Sequence, residues 1–287
     1  MSFAAMARDP PPVAVSTYAR LIGLVLALAA VVVAFGPSRL IARRLGRRLG
    51  ERTPVLFQRV LCAGLGVTVR KHGELETEAP RLIVSNHVSW LDVPVLASLA
   101  PMNFLAKREI GDHGLGRALV AMQGAIYVDR ERRRSIPLVN ARMAETMAEG
   151  CPVVLFAEAT TGDGNRLLRF RSSHFEAIRQ VAASGDGSPA LIQPVYLHYC
   201  RLGGVPMVRF ERPRVAWYGD MTFLPHFFRY ASGGGVTCDV YCGHPIRVAP
   251  DMDRKSLARR TEAAVRTLAA EVRAGRAPAI FAGGEKA

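Results

Sequence analysis

A histidine and an aspartate stand five positions apart in the run Asn86-His87-Val88-Ser89-Trp90-Leu91-Asp92, directly after the apolar residues Leu82, Ile83 and Val84. A neutral imidazole takes a proton from a hydroxyl near pH 7, and a neighbouring carboxylate fixes its tautomer and stabilises the imidazolium that forms. His87 is thereby the candidate general base and Asp92 its orienting partner. A histidine at a strand end is also commonly a plain hydrogen-bonding residue. Asp92 equally suits the N-cap of a helix opening near Val93-Pro94, where proline fits the first turn. One aspartate can fill both roles.

Three further clusters of polar residues close predicted strands. The first is Gly124-Ala125-Ile126-Tyr127-Val128-Asp129-Arg130, the second Phe156-Ala157-Glu158-Ala159-Thr160-Thr161-Gly162-Asp163-Gly164, and the third Gln193-Pro194-Val195. Open α/β sheets bind ligands at the carboxyl ends of their strands, so His87, Arg130 and Glu158 are expected to face one crevice. Arg130 suits an anionic ligand because a guanidinium forks onto phosphate or carboxylate. Arg132, Arg133 and Arg134 read as solvated surface charge, and Glu158 could equally be the structural partner of an arginine.

The elements that must position these groups follow from alternating patterns. Short apolar runs at 82–84, 103–106, 125–128, 153–157, 191–197 and 236–241 read as strands, and helical spacing recurs at 93–99, 115–122, 136–147 and 175–183. Strands alternating with helices predict an α/β fold, a largely parallel sheet flanked by helices. Leu257, Ala264, Val265, Leu268 and Val272 keep helical spacing behind Asp251 or Asp253, which predicts a capped terminal helix. The aromatic residues Trp217, Tyr218, Phe223, Phe227 and Phe228 read first as core, with an acyl-chain tunnel as the alternative.

Lys and Arg outnumber Asp and Glu by 38 to 24 over 287 residues, a formal charge of +14. The expected partner is anionic: a phospholipid surface, an acidic carrier protein or nucleic acid. Nothing in the chain matches a base-reading module, so nucleic acid is set aside. Five scattered cysteines, Cys62, Cys151, Cys200, Cys238 and Cys242, argue against a disulfide framework and for a reducing compartment. Cys238, Cys242 and His244 are near one another, but Val236, Cys238, Val240 and Cys242 alternate as on a buried sheet face rather than as metal ligands.

Residues 21–35 form an almost unbroken apolar run, which Ser16, Thr17, Tyr18 and Ala19 could extend toward the about 20 residues needed to span a bilayer. Arg39, Arg43, Arg44, Arg47, Arg48 and Arg52 follow, interleaved with leucine and isoleucine, as in a basic helix on an anionic membrane surface. If the first segment spans, the positive-inside bias puts the rest in the cytoplasm. The expected organisation is an extended or disordered arm over residues 1–20, membrane-associated helices over 21–70, one α/β domain over 71–275 and a loose tail over 276–287.

In this order the four clusters resemble the glycerolipid acyltransferase family typified by 1-acylglycerol-3-phosphate acyltransferases. Asn86, His87 and Asp92 match N-H-x-x-x-x-D in full. Gly124, Ile126, Asp129 and Arg130 match G-x-I-x-x-D-R. Phe156, Glu158, Thr160 and Gly164 match part of F-P-E-G-T-R-S and the glycine beyond it, and Gln193-Pro194-Val195 looks like the family's proline-centred strand. Ala157 and Ala159 replace the usual proline and glycine. Thr161 stands where lysophosphatidate-using members carry an arginine toward the acceptor phosphate, which weakens the case for a phosphomonoester acceptor. The run from Ala159 to Asn165, with Trp217-Tyr218-Gly219-Asp220-Met221, looks more like bacterial lyso-ornithine lipid O-acyltransferases.

The resemblance implies transfer of a fatty acyl group from an acyl carrier protein or coenzyme A thioester to a lysolipid hydroxyl at the bacterial inner membrane, with no metal or redox cofactor. His87 would be the base and Asp92 its orienter. Arg130 and Lys107 would hold acidic groups, and Glu158, Thr160 and Thr161 would meet the acceptor's polar part. Lyso-ornithine lipid is the favoured acceptor and lysophosphatidate the alternative. A serine hydrolase lacks its G-x-S-x-G elbow here. A noncatalytic lipid-binding module would not need the His87/Asp92 pair.

Overall fold

The computed structural model describes residues 14–44, 52–76, 80–107, 126–128, 133–184, 189–276 and 278. Among the described residues nine strands form the sheet: β1 (Val67–His72), β2 (Arg81–Ser85), β3 (Asn103–Lys107), β4 (Ile126–Val128), β5 (Val153–Phe156), β6 (Ala190–Leu202), β7 (Val205–Pro206), β8 (Val236–Cys242) and β9 (Ile246–Val248). Their order is β1-β8-β6-β2-β5-β3-β4, with β7 and β9 also paired to β6. Strands β6, β2, β5, β3 and β4 run parallel, while β8 opposes β6 and carries β1 parallel to itself. The expected largely parallel sheet is therefore mixed at its β8 and β1 side.

Side-chain alternation along the strands builds two cores. Leu82, Val84, Val153, Leu155, Ile192 and Tyr196 face one side, where they pack with α4 (Ile136–Ala148), α5 (Phe175–Ser184) and α7 (Arg254–Arg273). Ile83, Val154, Val195, Leu197 and Tyr199 face the other, against α1 (Val15–Arg44), α2 (Arg52–Gly64) and α3 (Asp92–Ala97). Cys238 and Cys242 lie buried on this second face, as their spacing predicts. Pro194 falls between the residues of β6 paired to β9 and those paired to β8, so its missing N–H coincides with a gap in the ladder, and its carbonyl accepts from Gly243 at 2.8 Å. Asp253 caps α7 by accepting the N–H groups of Lys255 and Ser256 at 3.0 and 3.1 Å.

The amino-terminal half of the chain departs from expectation in two places. Helix α1 begins at Val15, inside the stretch assigned to an extended arm, and continues past Gly36-Pro37 to Arg44. The sheet takes its first strand at Val67, ahead of the expected domain start at residue 71. Strand β1 escapes notice because its charged residues are paired: Arg70 forks onto Asp239 of β8 at 2.6 and 2.8 Å, and His72 reaches the same carboxylate at 3.1 Å. The helix expected over 115–122 and the tail from 279 onward lie outside the described residues.

Within α1, Val15–Gly36 is long and apolar enough to cross a membrane. Only a narrow seam of it is buried, at Thr17, Leu24 and Val31, spaced seven apart along one side of the helix. Leu24 fits directly over Gly64 of α2, where a side chain would displace it. The rest of this helix presents Val15, Ile22, Val25, Leu26 and Val33 outward.

Candidate active site

The loop after β2 is pinned from three directions. Asn86 clamps it to β6 through both ends of its amide: Nδ2 donates to the Leu197 carbonyl at 3.1 Å, and Oδ1 accepts the Leu197 N–H at 2.8 Å. The His87 carbonyl accepts the Gly162 N–H at 2.8 Å, and the Val88 carbonyl accepts the Trp217 N–H at 2.9 Å. The His87 imidazole lies flat on Phe156 at the end of β5, with centroids 4.0 Å apart and planes 10° from parallel. Backbone bonds and ring stacking together fix where the imidazole stands and which way it faces.

Asp92 is fully buried, and four donors meet its carboxylate. Oδ2 accepts from His87 Nδ1 at 2.7 Å and from the N–H groups of Val88 and Ser89 at 2.6 and 2.9 Å, while Oδ1 accepts from the Tyr199 hydroxyl at 2.7 Å. A carboxylate out of water needs such compensation. The expected N-cap role is not what the structure shows. Asp92 is the first residue of α3 and reaches back into the preceding loop, while the helix starts with no side-chain cap. Since the carboxylate only accepts, Nδ1 carries the imidazole proton and Nε2 is left as the basic nitrogen.

Glu158 follows β5 and is buried. Its Oε2 accepts the His87 N–H at 2.9 Å and its Oε1 the Leu168 N–H at 2.8 Å. Burial pushes its pKa up to about 7, against the pull of these two amides. Its partners are thus backbone amides rather than the side chain of an arginine. The turn it opens carries Ala159 at φ +60°, a left-handed conformation that suits the glycine of the resembling motif better than alanine. Thr160 is exposed and Thr161 half-buried beside Gly162, the residue bonded to the His87 carbonyl.

The structure brings His87, Asp92, Glu158 and the Thr160-Thr161 turn together at the carboxyl ends of β2 and β5. Lys107 closes β3 at the same edge of the sheet. Its side chain, and Arg130 with Gly124 and Asp129, lie outside the described residues. Sequence reasoning passed over Tyr199, although its place on the Val195, Leu197, Tyr199 face of β6 was there to be read.

Behind Val88 a small crevice, partly open to solvent, is lined by Tyr196, His198, Tyr199 and Arg212. Burial, helped by the Arg212 guanidinium, holds the His198 pKa down at about 4, so this second histidine is neutral near pH 7. Arg212 donates to the Gly164 carbonyl and Arg273 to the Asn165 carbonyl, fastening the far end of the turn. Among the described residues no cluster of three or more histidines, cysteines or carboxylates could hold a metal ion.

A family model described as Acyltransferase matches residues 66–198, which contain the whole turn, His87 and Asp92. A lyso-ornithine lipid O-acyltransferase of Brucella abortus is 33% identical across 90% of this chain and 96% of its own length. The chain belongs to the acyltransferase family. This acyltransferase is also similar to a lyso-ornithine lipid O-acyltransferase of Rhizobium meliloti, 33% identical over 83% of the chain and 81% of the relative. A 1-acyl-sn-glycerol-3-phosphate acyltransferase of Neisseria gonorrhoeae is 30% identical over 66% of the chain and 69% of the relative. The fold of the acyltransferase matches the crystal structure of the 1-acyl-sn-glycerophosphate acyltransferase of Thermotoga maritima, with a TM-score of 0.57 at 17% identity, over 90% of this chain and 98% of that one.

Proposed function

We propose that this acyltransferase moves a fatty acyl group from a thioester of acyl carrier protein or coenzyme A to the hydroxyl of a lysolipid, with lyso-ornithine lipid as the favoured acceptor. The observation that carries the reading is the 2.7 Å bond from His87 Nδ1 to the buried Asp92 carboxylate, which leaves Nε2 as the base. His87 Nε2 takes the acceptor's hydroxyl proton as that oxygen attacks the thioester carbonyl. The tetrahedral adduct then collapses, the carbon–sulfur bond breaks, and the imidazolium returns its proton to the departing thiolate. Asp92 stabilises the imidazolium in between. No covalent enzyme intermediate is needed.

In this reading Glu158 acts through His87, holding its peptide N–H so that the ring stays over Phe156. Thr160 and Thr161 offer hydroxyls to the acceptor's polar part, with Lys107 and Arg130 as cations for acidic groups of acceptor or donor. A threonine in place of an arginine at 161 removes a guanidinium fork from the acceptor side, which favours an acceptor without a phosphomonoester. The relatives named for lyso-ornithine lipid support the same choice. The apolar exposed side of α1 and the basic residues after it support a location on the cytoplasmic face of the inner membrane, where a lysolipid substrate resides.

The test offers membranes containing wild-type or His87→Ala protein a labelled acyl carrier protein thioester, with lyso-ornithine lipid and lysophosphatidate in parallel. Acylation of lyso-ornithine lipid that disappears in the variant is the expected result. Preference for lysophosphatidate would retain the mechanism and discard the argument from Thr161.

A further inference from the structure

Helix α6 (Phe223–Ala231) turns His226, Tyr230 and Ala231 inward and leaves an aromatic ridge outside. His226 is held between the Trp90 indole N–H at 3.2 Å and the Ala216 carbonyl at 3.1 Å, and the Tyr230 hydroxyl donates to the Leu65 carbonyl at 3.1 Å. The inner side is thus fastened. On the outer side, Phe223 is 44% and Leu224 63% exposed, and Phe210, on the neighbouring 3-10 segment that packs against α6, is 78% exposed. Of the five aromatic residues that read first as core, Tyr218 and Phe227 pack against the second core, while Phe223 stays outside. None is fully buried, and Phe223 meets Trp90 and Trp217 edge-on at 5.6 and 6.1 Å.

Two observations say what covers this ridge. It adjoins α1: Tyr18 lies 6.4 Å from Phe228, and Arg20 donates to the Ala231 carbonyl, so the exposed apolar side of α1 continues onto α6. The stretch of chain that carries it, residues 201–229, also holds arginines at 201, 209, 214 and 229 besides Arg212, which turns inward to the Gly164 carbonyl, against only Glu211 and Asp220. Apolar and aromatic side chains set among arginines match the acyl-chain layer and headgroups of an anionic leaflet.

We propose that α6 and the Phe210 segment are a second bilayer contact that dips into the leaflet beside α1, so that a lysolipid passes along the ridge to His87 without leaving the membrane. Trp90 joins the two ends of this path, since it touches Phe223 and Phe227 and belongs to the same short loop as His87. The proposal rests on the reading that α1 holds the enzyme at the membrane.

Both tryptophans of the chain touch Phe223, so intrinsic fluorescence reports this contact and not α1. Full-length protein is bound to phosphatidylglycerol vesicles with plain or brominated acyl chains, and sedimentation is followed alongside emission. Bromine should cut emission roughly twofold. A Phe210→Ser/Leu224→Ser variant should still sediment, lose most of the quenching and show a severalfold higher KM for vesicle-embedded lysolipid at unchanged kcat. Sedimentation with equal emission in the two vesicles overturns the second contact and leaves the α1 reading standing, and failure to sediment overturns both. Emission that ignores brominated lipid but responds to added acyl carrier protein would give the ridge to the carrier and overturn the proposal.

Discussion

The hydroxyl of Tyr199 donates to Oδ1 of Asp92 at 2.7 Å across 107 residues of sequence. Oδ2 is already committed to His87 and two backbone amides, so Tyr199 satisfies the oxygen that would otherwise be buried alone. Burial, reinforced by the Asp92 charge, holds the Tyr199 pKa far above its ordinary value, and the phenol stays a donor at every working pH.

Removing that donor should weaken both fold and catalysis. Tyr199→Phe leaves Oδ1 of a fully buried carboxylate unsatisfied, a cost of about 1–3 kcal/mol, more for a charged group. Thermal unfolding should show the loss. Steady-state kinetics should show kcat reduced with KM for acyl donor unchanged, because the phenol touches Asp92 and not substrate.

The two halves of the His87–Asp92 pair should fail together. His87→Ala keeps the other three donors on Asp92, so the fold should survive while turnover falls by about 10²–10⁴-fold. In Asp92→Asn the amide oxygen can still accept the Val88 and Ser89 N–H groups and the amide nitrogen can donate to Tyr199, but no charge stabilises the imidazolium. The double variant should be no slower than His87→Ala alone, because residues acting as one unit do not add. Full additivity would mean that Asp92 works apart from His87.

Glu158 should make stability fall as pH rises. Its folded pKa of about 7 lies above the unfolded carboxylate value, so between roughly pH 4.5 and 7 the folded state binds more protons than the unfolded one. Its contribution is fully present below that window and lost as pH climbs through it. Glu158→Gln lowers stability at low pH, since one backbone N–H then faces an amide nitrogen, and removes this slope, so the gap to wild type narrows as pH rises. Unfolding curves for both proteins from pH 4.5 to 8 check the difference in slope rather than the absolute values.

Ala159 sits at φ +60°, where an L-residue with a Cβ is disfavoured by about 1–2 kcal/mol and glycine is not. Glycine gives part of this back through its freer unfolded chain, so Ala159→Gly should stabilise by about 0.5–1 kcal/mol. Denaturant unfolding measures it. A destabilised variant would show that the turn holds Ala159 by contacts that outweigh the conformational cost.

Much of this molecule was readable in one dimension. The short apolar runs at 82–84, 153–157 and 236–241 fall on the strands Arg81–Ser85, Val153–Phe156 and Val236–Cys242 to within a residue at each end, because a strand buried on both faces is apolar along its whole length. Asp92 as a helix cap did not hold, since a carboxylate's choice among donors is set by what packs around it, and here Val88, Ser89 and Tyr199 outcompete the helix amides. The aromatic residues at 217–228 held as core only in part: Tyr218 and Phe227 pack against the second core, but none of the five is fully buried and Phe223 is exposed. Composition cannot tell a buried ring from one on an apolar ridge; the position of α1 decides that.

The His87/Asp92 spacing, the order of the four motif blocks, the basic charge and the apolar amino-terminal segment came from sequence alone, because residue identity and short-range spacing are local properties. Tertiary structure alone decided that Tyr199 completes the Asp92 carboxylate, that Glu158 grips the His87 peptide and that α6 stands beside α1. Each of these joins groups distant along the chain, and such contacts exist only once strand order and helix packing have brought them within hydrogen-bonding or van der Waals reach.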